Sequence, residues 1–194
     1  MLNAIKLALL AAVILPVMGC SSPRGKTPQQ KRAYAEEMHD KTLREFYETT
    51  SQGRELVESS KGYAVFSNAN FSLMFLGSGN GYGVTVDRRN NERTYMRMYE
   101  LSAGIGMGYR DFRAIFLFFD EDLLDEFIAN GWQVDADAAA AAQLNSTGGS
   151  VDAAAVINRP VVIIEMTDNG LMLRADIAGI KYLPYDELNT ADDE

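Results

Sequence analysis

One histidine and one cysteine stand among the 194 residues, and that scarcity limits the available chemistry. His39 has Glu36, Asp40 and Leu43 as helical neighbours, the setting of an ordinary surface or half-buried residue. A Ser–His–Asp triad would have to use His39, and no Gly-x-Ser-x-Gly elbow is present. Without a second histidine, a histidine-rich metal site is excluded, as is a Cys–His pair once the one cysteine is lipidated. Gly77-Ser78-Gly79-Asn80-Gly81 lacks the Gly-Lys-Ser/Thr ending of a phosphate-binding loop, and no strand–turn–helix setting suggests a dinucleotide site. Asp135 and Asp137 would share a strand face and suit a hard cation, but no further ligand spacing accompanies them. Asp120-Glu121-Asp122 is the charge expected at a helix N-terminus. The residues point to no enzyme, cofactor or metal.

The chemistry of Cys20 is covalent. Lys6 precedes an apolar run, Leu7 to Val17, too short to span a bilayer. The run ends Val17-Met18-Gly19-Cys20, which resembles the bacterial lipobox. Residues 1–19 read as a signal peptide, and Cys20 as the acylated first residue of a tether over 20–26. One acyl chain holds a membrane only marginally, whereas two or three hold stably. With Ser21 after the cysteine, the expected address is the cell envelope, on the outer membrane facing the periplasm. Cleavage removes one lysine, so the formal charge moves from −9 to −10. So acidic a chain is a poor partner for nucleic acid.

The one local basic cluster is Arg88, Arg89, Arg93 and Arg97, with Lys61 as a neighbour. Arginine suits bidentate phosphate contact, and Arg93 and Arg97 would share a strand face. Tyr95, Met96, Met98 and Tyr99 lie among them, side chains that suit a bilayer interface. The alternative is a solvated hairpin tip paired with Asp87 and Glu92.

Several elements must position these residues. Thr27-Pro28-Gln29-Gln30 starts a helix, with Thr27 as cap and Gln30 closing a capping box. The helix runs to about Thr49, with Ala35, Met38, Thr42, Phe46 and Thr49 as one row and Tyr34 and Leu43 beside it. A shorter helix covers Arg54 to Ser59. From Gly62 the period becomes two, giving strands over 63–68, 71–76, 82–86, 94–109 and 112–119. Asp87 to Glu92 is a turn, and Phe112 to Phe119, apolar on both faces, is a strand covered twice. Asp120 caps a helix over 121–129 that Asn130-Gly131 stops. Asn145 to Arg159 reads as a flexible linker, Val161 to Met166 and Leu171 to Tyr182 as a second hairpin about the turn Thr167 to Gly170, and 184–194 as a loose acidic tail.

Two glycine runs set the sheet apart: Gly77, Gly79, Gly81, Gly83, and Gly104, Gly106, Gly108. Each glycine costs a strand roughly 0.5–1 kcal/mol relative to alanine. Their bare faces call for a sharp bend, the close approach of another backbone, or a ligand.

Lys61-Gly62-Tyr63-Ala64-Val65-Phe66-Ser67-Asn68, the two glycine runs, and Phe127 to Asp137 with Gly131-Trp132 stand in the order of SYLF domains, and residues 54–182 resemble that family. The resemblance implies an α+β fold: N-terminal amphipathic helices on a curved, glycine-rich antiparallel sheet, barrel- or sandwich-like. It makes 27–183 one domain and implies phospholipid binding rather than catalysis. The family includes eukaryotic phosphoinositide- and actin-binding proteins, whose lipid binding is tied to an amphipathic N-terminal helix and basic residues. Here that region mixes charges, so only a general phospholipid affinity carries over. The competing expectation is a scaffold module of the envelope, docking a protein partner or forming a homo-dimer.

Overall fold

The computed structural model describes residues 22–134, 160–167, 170–173 and 180–190. The expected signal peptide over 1–19, Cys20, Asp135, Asp137 and the expected linker over 145–159 lie outside the described residues. Helix α1 spans Pro28–Thr49, and the Thr27 side chain accepts from the Gln30 N–H. Gln30 does not close the box on Thr27; its Oε1 accepts from the Lys26 N–H at 2.8 Å. Helix α2 follows over Gly53–Ser59.

The rest is α+β, as the resemblance implies. Strands β1 (Gly62–Asp87) and β2 (Glu92–Phe118) form one long antiparallel hairpin. Helix α3 (Glu121–Asn130) is capped by Asp120, which accepts from the Leu123 N–H, and it stops at Gly131 with φ 71°. Short strands β3 (Trp132–Val134), β4 (Val161–Thr167), β5 (Gly170–Leu173) and β6 (Ile180–Pro184) follow, then helix α4 (Asp186–Asn189). The six strands run β3-β6-β2-β4-β5 with β1 on the other edge of β2. Every pairing is antiparallel, and the sheet is not closed.

Three expectations are corrected. The segments 63–68, 71–76 and 82–86 are one strand, as are 94–109 and 112–119, because asparagine and glycine sit within a ladder whose backbone bonds β2 completes. The stretch 171–182 splits: β5 pairs with β4, whereas β6 pairs with β2 and β3. Beyond Pro184 the chain is not loose as far as Thr190, since α4 buries Leu188.

A straight strand of 26 residues would stretch about 85 Å. β1 instead returns to its own beginning. The Arg88 N–H donates to Lys61 O at 3.0 Å, and a Cβ on Gly83 would lie 2.5 Å from Val65 O and 2.4 Å from the Phe66 ring. Close approach of another backbone, one of the three reasons open for the glycines, holds at this position. Between the ends, β2 takes three steps (Gly106 to Ala103) against two in β1 (Met74 to Leu76), a bulge of the kind that bends a ribbon.

The bend wraps one core and presents another. Phe66, Met96, Met98, Phe116, Phe118, Leu124, Phe127 and Tyr182 form the first cluster, with Trp132 against it. Phe46, Leu56 and Val57 from the helices meet Val65, Ile115, Leu117 and Ile164 in the second. Phe116 and Phe118 thus face one layer and Ile115 and Leu117 the other, so β2 is covered twice here. A third cluster joins Ala35 to Tyr82, Val84 and Val86.

Candidate phospholipid-contact surface

The basic residues of the hairpin tip do not converge; they are spread over several elements. Arg88 donates to Ser60 O at 2.8 Å and also to Glu58 O. Those carbonyls lie at the C-terminus of α2, where a cation is favoured by unpaired acceptors and the helix dipole. Arg89 grips Asp87 with two bonds of 2.8 and 2.9 Å and also bonds Asp125 on α3. The pair holds the Asp87 carboxyl below its ordinary range, chiefly through the Arg89 hydrogen bond. Lys61 meets Glu121, also on α3, at 2.7 Å.

Arg93 pairs with Glu36 of α1. The Tyr95 hydroxyl donates to the same carboxylate at 2.9 Å, and burial, then that bond, pushes the Tyr95 hydroxyl up to about 12. Arg93 and Tyr95 also line an open cleft of about 550 Å³ with Arg32, Asp186 and Asn189. Arg97 is placed differently. Its guanidinium sits 5.8 Å from the Tyr99 ring and 5.7 Å from the Tyr185 ring, within cation–π range. Its Nε is buried without a hydrogen-bond partner. Tyr99, at 40% exposure, is the one exposed large hydrophobic among the described residues. The tip therefore brings together Arg93 with Tyr95 and Arg97 with Tyr99, and sends Arg88, Arg89 and Lys61 to the helices.

Of the glycines, Gly79, Gly81 and Gly83 are buried, and the space beside Gly83 is filled by Phe66. The ladder puts Gly77 opposite Ser102, Gly106 opposite Met74 and Gly108 opposite Ser72, with Gly104 in the bulge. Their surroundings lie outside the described residues.

His39 is not at the surface. It is 1% exposed, because it stands one turn from Ala35 and from Leu43 on the buried stripe of α1. Its ring stacks on Tyr63, with centroids 5.7 Å apart and planes at 21°. Nδ1 lies 2.9 Å from Asp40 Oδ1, and Nε2 is buried without a partner. Burial lowers the pKa of the imidazole, and Asp40 opposes it. Glu36, His39 and Asp40 offer donor atoms within 4.8 Å of one another. Glu36 already serves Arg93 and Tyr95, which leaves two donors where zinc takes four ligands and calcium six to eight.

A second recess escaped the reading of the sequence. Tyr34, Glu37 and Lys41 of α1 face Ser67, Tyr82 and Arg113 around a cavity of about 260 Å³. The signal was available: Arg113 is the lone charge in the otherwise apolar stretch Phe112 to Phe119.

No family model matches this chain. It is similar to Beta cell expansion factor A of Aeromonas veronii. The two are 31% identical over 157 residues, which cover 81% of this chain and 58% of that protein. The chain thus matches rather more than half the length of that relative.

Proposed function

We propose that this chain is a lipid-anchored envelope protein whose SYLF-like domain binds phospholipid without catalysing a reaction. The observation that carries the reading is the middle of the hairpin. No charged residue occurs in β1 from Ser67 to Val86, nor in β2 from Leu101 to Tyr109. The ladder places Phe71 opposite Tyr109 and Leu73 opposite Met107. Beyond β6 at 96–100 and β4 at 113–118, no strand pairs with the outer edge of β2 among the described residues. Tyr82, Val84 and Val86 are taken up by the protein's own core; the uncharged part that remains, 71–78 laddered to 101–109, suits the interfacial region of a bilayer, where apolar burial supplies the affinity. Arg97 and Tyr99 lie along the same strand, suited to the headgroup level. No described helix is long and apolar enough to cross a membrane. Acyl chains on Cys20 would hold the domain at the bilayer and raise its local concentration there.

The same edge, unpaired from 101 to 112 among the described residues, favours a second reading, in which a partner protein adds a strand to β2. Co-sedimentation of residues 21–194 with neutral and anionic vesicles, at low and moderate salt, separates the two. Phospholipid binding predicts sedimentation without the acyl anchor, weakly dependent on salt because the ribbon is uncharged. No binding to any vesicle overturns it and leaves strand addition.

A further inference from the structure

Beside this ribbon, the recess under α1 carries charges of both signs on a small scale. Its volume, about 260 Å³, is below the roughly 300–1,000 Å³ of pockets that enclose a drug-sized ligand. It fits a headgroup and not a whole lipid. Lys41 and Arg113 supply the cations. Both also contact Glu45, Lys41 only at 3.9 Å with 58% of its side chain exposed. Glu37 supplies a carboxylate at the rim. Tyr82 is hydrogen-bonded to the Tyr34 and Ser67 side chains, and burial keeps its hydroxyl protonated and able to donate. A bare anion would meet Glu37 unfavourably, and a bare cation would meet Lys41 and Arg113.

The position of the recess names the rest of the ligand. Ser67 and Arg113 are cross-strand partners, and Ser67 opens the stretch of β1 without charge. A headgroup held here would leave its acyl chains beside the uncharged ribbon. We infer that the recess binds a zwitterionic phosphoethanolamine group, its phosphate held by Lys41 and Arg113 and its ammonium by Glu37. This deepens the phospholipid-binding reading and rests on it for the source of the group.

The test is calorimetric titration of the full chain in a maltoside detergent, which carries no phosphate. The titrants are dihexanoyl phosphatidylethanolamine, glycerophosphoethanolamine and inorganic phosphate. Lys41→Ala and Glu37→Gln, both exposed, should each weaken the short-chain lipid about tenfold, the equivalent of one charge-assisted hydrogen bond. Arg44→Ala, on the same helix outside the recess, should bind as wild type. Equal binding of the lipid and glycerophosphoethanolamine supports the site and assigns it a soluble source. Inorganic phosphate binding as tightly as the lipid overturns the zwitterion. Unchanged affinity in both variants, or no binding by wild type, overturns the recess; vesicle sedimentation by wild type would still leave phospholipid binding standing.

Discussion

Arg88 donates from its guanidinium to Ser60 O at 2.8 Å and so ties the turn of the long hairpin to the end of α2, two residues before the hairpin begins. The contact spans 28 positions of sequence. It makes the basic tip a clasp for the bent ribbon rather than a loose end.

Removing that clasp should show in stability. Arg88→Ala leaves two carbonyls at the end of α2 without their charged donor. The expected loss is about 1–2 kcal/mol, discounted because the side chain is partly exposed. Urea unfolding of the variant against wild type measures it, and an unchanged midpoint would show that the tip contributes nothing.

Gly83 is the tightest point of the bend. Gly83→Ala should cost about 1–3 kcal/mol by overpacking, because the new methyl meets both the Phe66 ring and Val65 O. Adding Phe66→Leu removes the ring clash and leaves the backbone clash. The double variant should therefore stay well below Phe66→Leu alone in thermal melting.

These contacts divide what the sequence could and could not tell. Thr27, Asp120, Gly131 and the turn within Asp87 to Glu92 were legible because caps and turns are local chemistry. The continuity of β1 and β2 was not, since Asn68, Asn70 and the glycines resemble breaks until a partner strand satisfies them. Asp87 was legible as a partner within the tip, but the distant arginine partners were missed for the same reason. Asp87 is two residues from Arg89, but Glu36 and Asp125 lie 57 and 36 residues from the arginines they hold. His39 hid on a helical stripe whose other members are apolar or small, so its polarity masked its position.

That buried imidazole makes stability depend on pH. Its folded pKa is lowered by burial, so the folded state prefers the neutral ring. The contribution is full above the unfolded value of about 6.5 and is lost as pH falls from there through the lowered folded pKa. Glu36, Asp40 and Arg93 act on the ring and Tyr63 packs on it. Melting temperature should fall between pH 7 and pH 5 more in wild type than in His39→Leu. A constant difference would contradict the buried neutral ring.

The C-terminal helix makes its own sharp test. The Asn189 side chain accepts from the Tyr95 N–H at 2.7 Å and donates to Tyr95 O at 2.8 Å, as a neighbouring strand would. Asn189→Ala should cost about 1–2 kcal/mol for two bonds near the surface. Amide exchange at Tyr95 should speed up with it; protection equal to wild type would mean the contact is idle.

The outer edge of β2 also has a history in time. Its last residue is Phe118, but its partners on that edge are β4 and β6, which end at Pro184. At synthesis rates of about 5–20 residues per second, the ribbon can zip from its turn several seconds before either neighbour exists. During that interval the backbone groups along the outer edge of β2 form an unpaired template. The finished domain hides that exposure only where β4 and β6 have closed over it.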